Sequence, residues 1–224
     1  MKKVFGIGNG ILIAATMLSC ICYDRFGGLS LKALTAMGFV LLGAFNCAYA
    51  LRFGGKNRKF PIVMALGLLV CMIGDVVLNI TFIPGALLFA VGHLFYFVAY
   101  GCLMRFRKRD LLPSAVIFAA SALIILAVPI FDFGPPLMQG ICLVYALVIS
   151  CMVGKAIANL VRERNIVTIL LALGSILFYF SDFMLLLNIF AGAPPITDTL
   201  CLFTYFPAQC LLAHAIFQYA DAKE

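Results

Sequence analysis

The sequence predicts an all-α polytopic membrane protein of eight transmembrane helices. Three observations carry that prediction. The 224 residues are 65% hydrophobic and only 11% charged, too few polar side chains to cover a soluble fold of this size. The apolar residues gather into eight runs, each about the 20 residues that span a bilayer. The basic residues fall between the runs, and almost all of them at alternate ends. Continuous apolar runs do not fit a barrel's alternation, and backbone groups in lipid must bond within their own segment, so the runs are read as helices. The whole chain, 1–224, reads as one integral membrane domain.

The segments lie at about 4–23, 31–51, 61–80, 84–104, 113–131, 136–158, 166–190 and 199–219. The first, MKKVFGIGNGILIAATMLSC, mimics a secretory signal. Its apolar run reaches Tyr23, longer than a signal core of roughly 7–15 residues, so it reads as the first membrane helix. Pro61, Pro84, Pro113, Pro136 and Pro195 stand at or just before helix starts, where a missing amide costs little. Pro207 falls inside the last helix and is expected to kink it.

Orientation follows from charge. With the ends numbered alternately, one side collects Lys2, Lys3, Arg52, Lys56, Arg58, Lys59, Arg105, Arg107, Lys108, Arg109, Lys155, Arg162, Arg164 and Lys223, against Arg25 and Lys32 on the other, 14 to 2 of the 16 basic residues. This predicts both termini in the cytoplasm of a bacterial inner membrane. The net charge of +7 is therefore an orientation signal, and nucleic acid is not expected as a partner. The nine cysteines lie in or beside apolar runs with no CxxC pair, which predicts buried thiols and neither a disulfide framework nor a metal cluster.

A faint repeat links GDVVLN at 74–79 to SDFMLLLN at 181–188. Each closes an apolar helix before a proline-containing turn, as two four-helix halves would.

Polar residues inside the runs are the candidates for function. A carboxyl at mid-helix costs about 2.5–3.5 kcal/mol to insert, yet Asp75 and Asp182 both occur there without a Lys or Arg beside them in the same helix. The predicted boundaries put Asp75 about 7–8 Å and Asp182 about 12 Å below the non-cytoplasmic helix ends. Asn79, His93, Tyr96, Tyr145, Thr204, Tyr205 and Gln209 fall at comparable depths, with Lys32 at the mouth of the second helix. Shared depth predicts a polar pocket open to the non-cytoplasmic face and lined by helices three, four, six, seven and eight. Asn79, His93, Tyr96, Tyr145 and Gln209 also have a packing role as interhelical hydrogen-bond partners, and Lys32 could reach either lipid headgroups or a carboxylate. The inner half reads as plainer, with Asn46 and His214 as its main polar residues. No GxSxG, HExxH or phosphate-binding loop is present.

At these residues the chain resembles a known family. GDVVLN with FIPGALLFAVGHLFYFVAY, then ALGSILFYFSDFMLLLNIF, then TYFPAQCLL, resembles, in order, the YhhN-like lysoplasmalogenase family of eight-helix membrane proteins. LKALTAMGF at 31–39 is similar to that family's second-helix opening, with Ala33 where a proline often stands. The resemblance implies hydrolysis of the vinyl-ether bond of lysoplasmalogens, or of a related lysolipid, to a fatty aldehyde and a glycerophospho-alcohol. It assigns catalysis to the aspartates of the GD and SD motifs, here Asp75 and Asp182, with no cofactor.

The residues suit that chemistry. A vinyl ether is cleaved by protonating its outer alkene carbon, which leaves an oxocarbenium ion for water to capture. The step needs one carboxyl still protonated and a carboxylate to stabilise the cation. Burial and a neighbouring carboxyl both favour the uncharged form of an acid. The expectation is that Asp75 and Asp182 face each other and share a proton, while His93, Tyr96 and Gln209 orient water or glycerol oxygen. Substrate and membrane lipids are the expected partners. A proton-coupled small-molecule or lipid transporter is the alternative, and a non-catalytic lipid-binding or assembly protein a third.

Overall fold

Eight long helices make up almost all of the computed structural model, which describes residues 2–54 and 57–221. They are α1 (Lys2–Phe26), α2 (Leu29–Phe53), α3 (Lys59–Leu78), α4 (Phe82–Leu103), α5 (Leu111–Ala127), α6 (Pro136–Arg162), α7 (Ile166–Ala191) and α8 (Ile196–Asp221), with a 3-10 turn at Lys108–Asp110 before α5. Each is long and apolar enough to cross a membrane, counting that turn with α5, and the protein is a multi-pass integral membrane protein. Large apolar side chains such as Ile11, Leu123 and Val144 stay exposed on the bundle's outside, as lipid-facing positions do. Lys56 and Lys223 lie outside the described residues.

Short turns join antiparallel neighbours, so helix ends gather at two faces. Lys2, Lys3, Arg52, Arg58, Lys59, Arg105 and Arg107 mark one, here the basic end; Arg25 and Lys32 belong to the far end. Lys155, however, is no loop cation. The sequence reading ended this helix at about residue 158, whereas α6 continues to Arg162 and Lys155 is fully buried. Its Nζ donates to Asp110 Oδ2 at 2.6 Å, and Arg162 Nη1 stands 3.5 Å from the same oxygen. The carboxylate 45 positions away in sequence is what allows the ammonium inside. The basic half is thus less plain than the sequence indicates.

The packing repeats when the helices are shifted by four. α1 packs on α2 as α5 on α6, α2 on α3 as α6 on α7, α3 on α4 as α7 on α8, and α8 on α2 as α4 on α6. The two halves suggested by GDVVLN and SDFMLLLN are therefore visible in the architecture. The match extends to register: Asp75 stands 16 residues after Lys59 and Asp182 stands 16 after Ile166, the first residues of α3 and α7.

The repeat breaks in one place. The α8 backbone also comes close to α1 and α3, whereas the α4 backbone does not approach α5 or α7 as closely and meets α7 through long side chains such as His93 against Phe178. The bundle is consequently more open between α4, α5 and α7.

Small residues hold the tight pairs together. A Cβ at Gly154 would stand 2.4 Å from the Ser114 amide nitrogen, which fixes α5 against α6, and one at Gly85 would stand 2.4 Å from Leu78 Cα. At the basic end, Asn9 and Asn46 exchange hydrogen bonds of 2.7 and 2.8 Å, and His214 Nδ1 lies 2.9 Å from Asn9 Oδ1. This polar knot ties α1 to α2 and α8.

Candidate active site

In this more open region a cavity of about 100 Å³ lies. It is lined by α4, α5, α6 and α7, with Leu78 from the end of α3. Its deepest residues, Phe89, Ser121, Ile149 and Tyr179, lie near mid-bundle, and the rest lead toward the far end. The lining differs from the one expected from sequence: α5 contributes and α8 does not. α5 has so few polar residues that shared polar depth could not reveal it, whereas α8 packs against α3 and turns its polar side chains there.

Among the described residues, Asp182 is the single charged one of the lining. Tyr145 on α6 donates to its Oδ2 at 2.6 Å. His93 on α4 places Nε2 3.8 Å from the same oxygen, behind the cavity wall. Among the described residues, neither ring nitrogen of His93 has a hydrogen-bond partner of good geometry, and its ring sits 4.6 Å from that of Phe178 and 5.5 Å from that of Tyr145. Asp182 lies nine residues before Ala191, the end of α7, or about 13 Å deep.

Asp75 occupies the corresponding place in the first half. Tyr205 on α8 donates to its Oδ2 at 2.6 Å, Gln209 Nε2 donates to the Tyr205 oxygen at 3.1 Å, and Tyr96 donates to Gln209 Oε1 at 2.7 Å. Lys32 Nζ reaches 4.0 Å from Asp75 Oδ1, so the lysine meets a carboxylate rather than only headgroups. α3 ends at Leu78, not near residue 80, which sets Asp75 three residues from the helix end, or about 4–5 Å.

The shift by four relates the two sites closely. Asp75 is met by Lys32 of α2 and Tyr205 of α8, and Asp182 by Tyr145 of α6 and His93 of α4. They differ in access. The Asp75 side chain is 3% exposed and the Asp182 side chain 15%, and only Asp182 lines the cavity.

The two carboxyls are not hydrogen-bonded to each other. A file of side chains links them instead: Tyr205 lies 5.1 Å from Phe178, and Phe178 4.6 Å from His93, centroid to centroid. Each carboxyl accepts instead from its own tyrosine, Asp75 from Tyr205 and Asp182 from Tyr145.

Two of the expected site residues serve their own helices. Asn79 donates to the Asp75 backbone carbonyl at 2.6 Å, satisfying the end of α3. Thr204 bonds back to the Leu200 carbonyl at 2.7 Å. Sequence spacing cannot distinguish such local bonds from side chains that reach across.

Tyr179 and Ser121 were missed by the sequence reading. Both line the cavity, and their hydroxyls lie 2.7 Å apart. The available signal was that Tyr179 precedes Asp182 by three residues, on the same helix face. At the far end, Phe190 stacks near Phe133 and Phe82 at 4.9 and 5.6 Å. The Asp132 amide bonds the Phe190 carbonyl at 2.7 Å, so the α5–α6 loop forms an aromatic cap beside the cavity. Among the described residues, no three His, Cys, Asp or Glu side chains come together as a metal's ligands would, and all nine cysteines are free.

No curated protein and no solved structure matches the chain. The model of the YhhN family matches residues 29–216, a stretch that begins at α2, contains both aspartates and ends within α8. On that match, the chain belongs to the YhhN family.

Proposed function

We propose that the chain is a membrane hydrolase that cleaves the vinyl-ether bond of lysoplasmalogens, or of a related single-chain lipid. The basic end faces the cytoplasm of a bacterial inner membrane, and the aromatic cap faces outward. One observation carries the reading: the cavity is apolar, and its single charged residue is a carboxyl. Among the described residues, no Lys, Arg or His lines it. An ester hydrolase stabilises an oxyanion with hydrogen-bond donors; this lining has no set of free donors for one. It suits a reaction in which positive charge develops.

Asp182, protonated, gives its proton to the outer alkene carbon. The π electrons form the new C–H bond, and the ether oxygen shares the positive charge left on the inner carbon. The Asp182 carboxylate stabilises that cation across a low-dielectric gap. Water adds to the inner carbon and loses a proton to the carboxylate. The hemiacetal hydroxyl then gives up its proton as its oxygen forms the C=O bond, while the glycerol oxygen takes a proton from Asp182 as its bond to that carbon breaks. Aldehyde and alcohol are released, and the proton count of Asp182 is unchanged once it accepts the hydroxyl proton. Tyr145 orients the carboxyl, and His93 stands behind it within reach of the departing proton.

Asp75 does not line the cavity, and we assign it a positioning role. Through Tyr205 and Phe178 it fixes the rings that back His93 and Asp182. Tyr96 and Gln209 hold Tyr205 in place, and Lys32 balances the Asp75 charge.

A proton-coupled carrier would need a path through the basic half, whereas the lining ends near mid-bundle at Phe89, Ser121, Ile149 and Tyr179. The test is to supply purified protein with a lysoplasmalogen and with an ester lysolipid. Aldehyde from the first and no fatty acid from the second is expected. Release of fatty acid with no aldehyde would overturn the reading.

A further inference from the structure

Apart from Asp182 and its partner Tyr145, the polar hydroxyls of the cavity are those of Tyr179 on α7 and Ser121 on α5. Their hydrogens can be accounted for. Ser121 donates its single hydrogen to the Ile117 carbonyl at 2.8 Å, the backbond to i−4 that serine makes in helices. With the Ser121 hydrogen given to Ile117, the 2.7 Å contact between Ser121 Oγ and Tyr179 Oη is a donation from Tyr179. Both hydrogens are committed, and the Tyr179 oxygen retains only acceptor capacity. Tyr145, whose hydrogen goes to Asp182, is in the same condition.

A buried acceptor in an apolar wall is satisfied by a ligand that brings a hydrogen. A ligand without one leaves that acceptor capacity unmet in a desolvated wall, and sites built this way reject analogues lacking the group. Tyr179 lies one helical turn from Asp182, and both line the same cavity.

We propose that Tyr179, polarised by Ser121, is an acceptor-only subsite that recognises a free hydroxyl on a single-chain lipid held in this cavity. It rests on the reading of the cavity as the substrate chamber, and it gives that chamber a reason to prefer a lipid with one free hydroxyl over one whose hydroxyl is acylated.

The test uses three non-cleavable probes: a 1-O-alkyl-glycero-3-phosphocholine with a free 2-hydroxyl, its 2-deoxy analogue and its 2-O-methyl ether. Binding to the full chain in lipid nanodiscs is measured at equilibrium. The wild-type protein should bind the hydroxyl probe at least about ten-fold more tightly than the deoxy probe, and the methyl ether no better than the deoxy form. Tyr179→Phe should bring the hydroxyl-to-deoxy ratio to within about two-fold. Ser121→Ala frees the Tyr179 hydrogen, so the methyl ether, an acceptor, should now bind more tightly than the deoxy probe. A merely structural role for the pair would weaken all three probes alike.

No discrimination by the wild-type protein, or equal weakening of all three probes by Tyr179→Phe, would overturn the subsite. Aldehyde release from a lysoplasmalogen is scored separately. Discrimination without aldehyde keeps the subsite and removes the proposed reaction, while aldehyde without discrimination keeps the reaction and removes the subsite.

Discussion

Tyr145 and Asp182 meet across a 2.6 Å hydrogen bond, and on α3 and α8 Asp75 and Tyr205 repeat the bond at the same length. The two carboxyls occupy equivalent places in two similar four-helix halves, and only one of them reaches the cavity. Hydrogen bonds to a charged group contribute about 1.5–3 kcal/mol. Tyr145→Phe is therefore expected to lower kcat for aldehyde release by about ten- to a hundred-fold with little change in KM. An unchanged kcat would remove Tyr145 from the orientation of the acid.

Asp75→Asn separates contact from positioning. The side chain does not line the cavity, so binding of a non-cleavable ether lysolipid should stay within about two-fold of wild type. Turnover should fall through loss of order at Tyr205 and Phe178, by about ten-fold or more for a bond of this class. Tyr205→Phe should reproduce the same split between binding and turnover. Loss of probe binding in Asp75→Asn would place Asp75 in contact with the lipid and contradict the assignment.

The cavity itself can be filled. Ala146 lines it one residue beyond Tyr145. Ala146→Phe should occupy much of the roughly 100 Å³ and reduce both probe binding and aldehyde release by more than about ten-fold, an overpacking cost of about 1–3 kcal/mol. Turnover of long-chain substrate at the wild-type rate would show that the lipid goes elsewhere.

The basic end supplies a stability test. Asp110→Asn leaves Lys155 buried without a counter-charge, and removal of one member of a buried pair costs about 3–5 kcal/mol. Denaturant unfolding in detergent should show a loss of that size, and Asp110→Asn combined with Lys155→Met should recover most of it. If the single variant is as stable as wild type, the pair does not hold α6 to the turn before α5.

Much of this architecture was legible from residue pattern. The eight apolar runs became eight helices because twenty-residue runs have few other solutions in lipid. Asp75 and Asp182 stood out because an acid in such a run is costly. The resemblance between GDVVLN and SDFMLLLN reappears as equal register on α3 and α7.

What stayed hidden depended on partners distant in sequence. Lys155 looked like a loop cation until Asp110 supplied its counter-ion. Asn79 and Thr204 looked like pocket residues but bond their own helix backbones. α5 carries little polar signal, so neither its place in the cavity wall nor the Ser121–Tyr179 pair could be read from composition. That each carboxyl bonds its own tyrosine depends on Tyr145 and Tyr205 arriving from α6 and α8, which no spacing rule encodes.

The central claim is that Asp182 protonates the substrate within this cavity. Its most direct measurement is aldehyde release from a lysoplasmalogen by purified Asp182→Asn, with binding of the non-cleavable ether probe recorded on the same sample. The account predicts that aldehyde falls to the background rate while the probe still binds. Aldehyde formed by Asp182→Asn at a rate near that of the wild-type protein would contradict it.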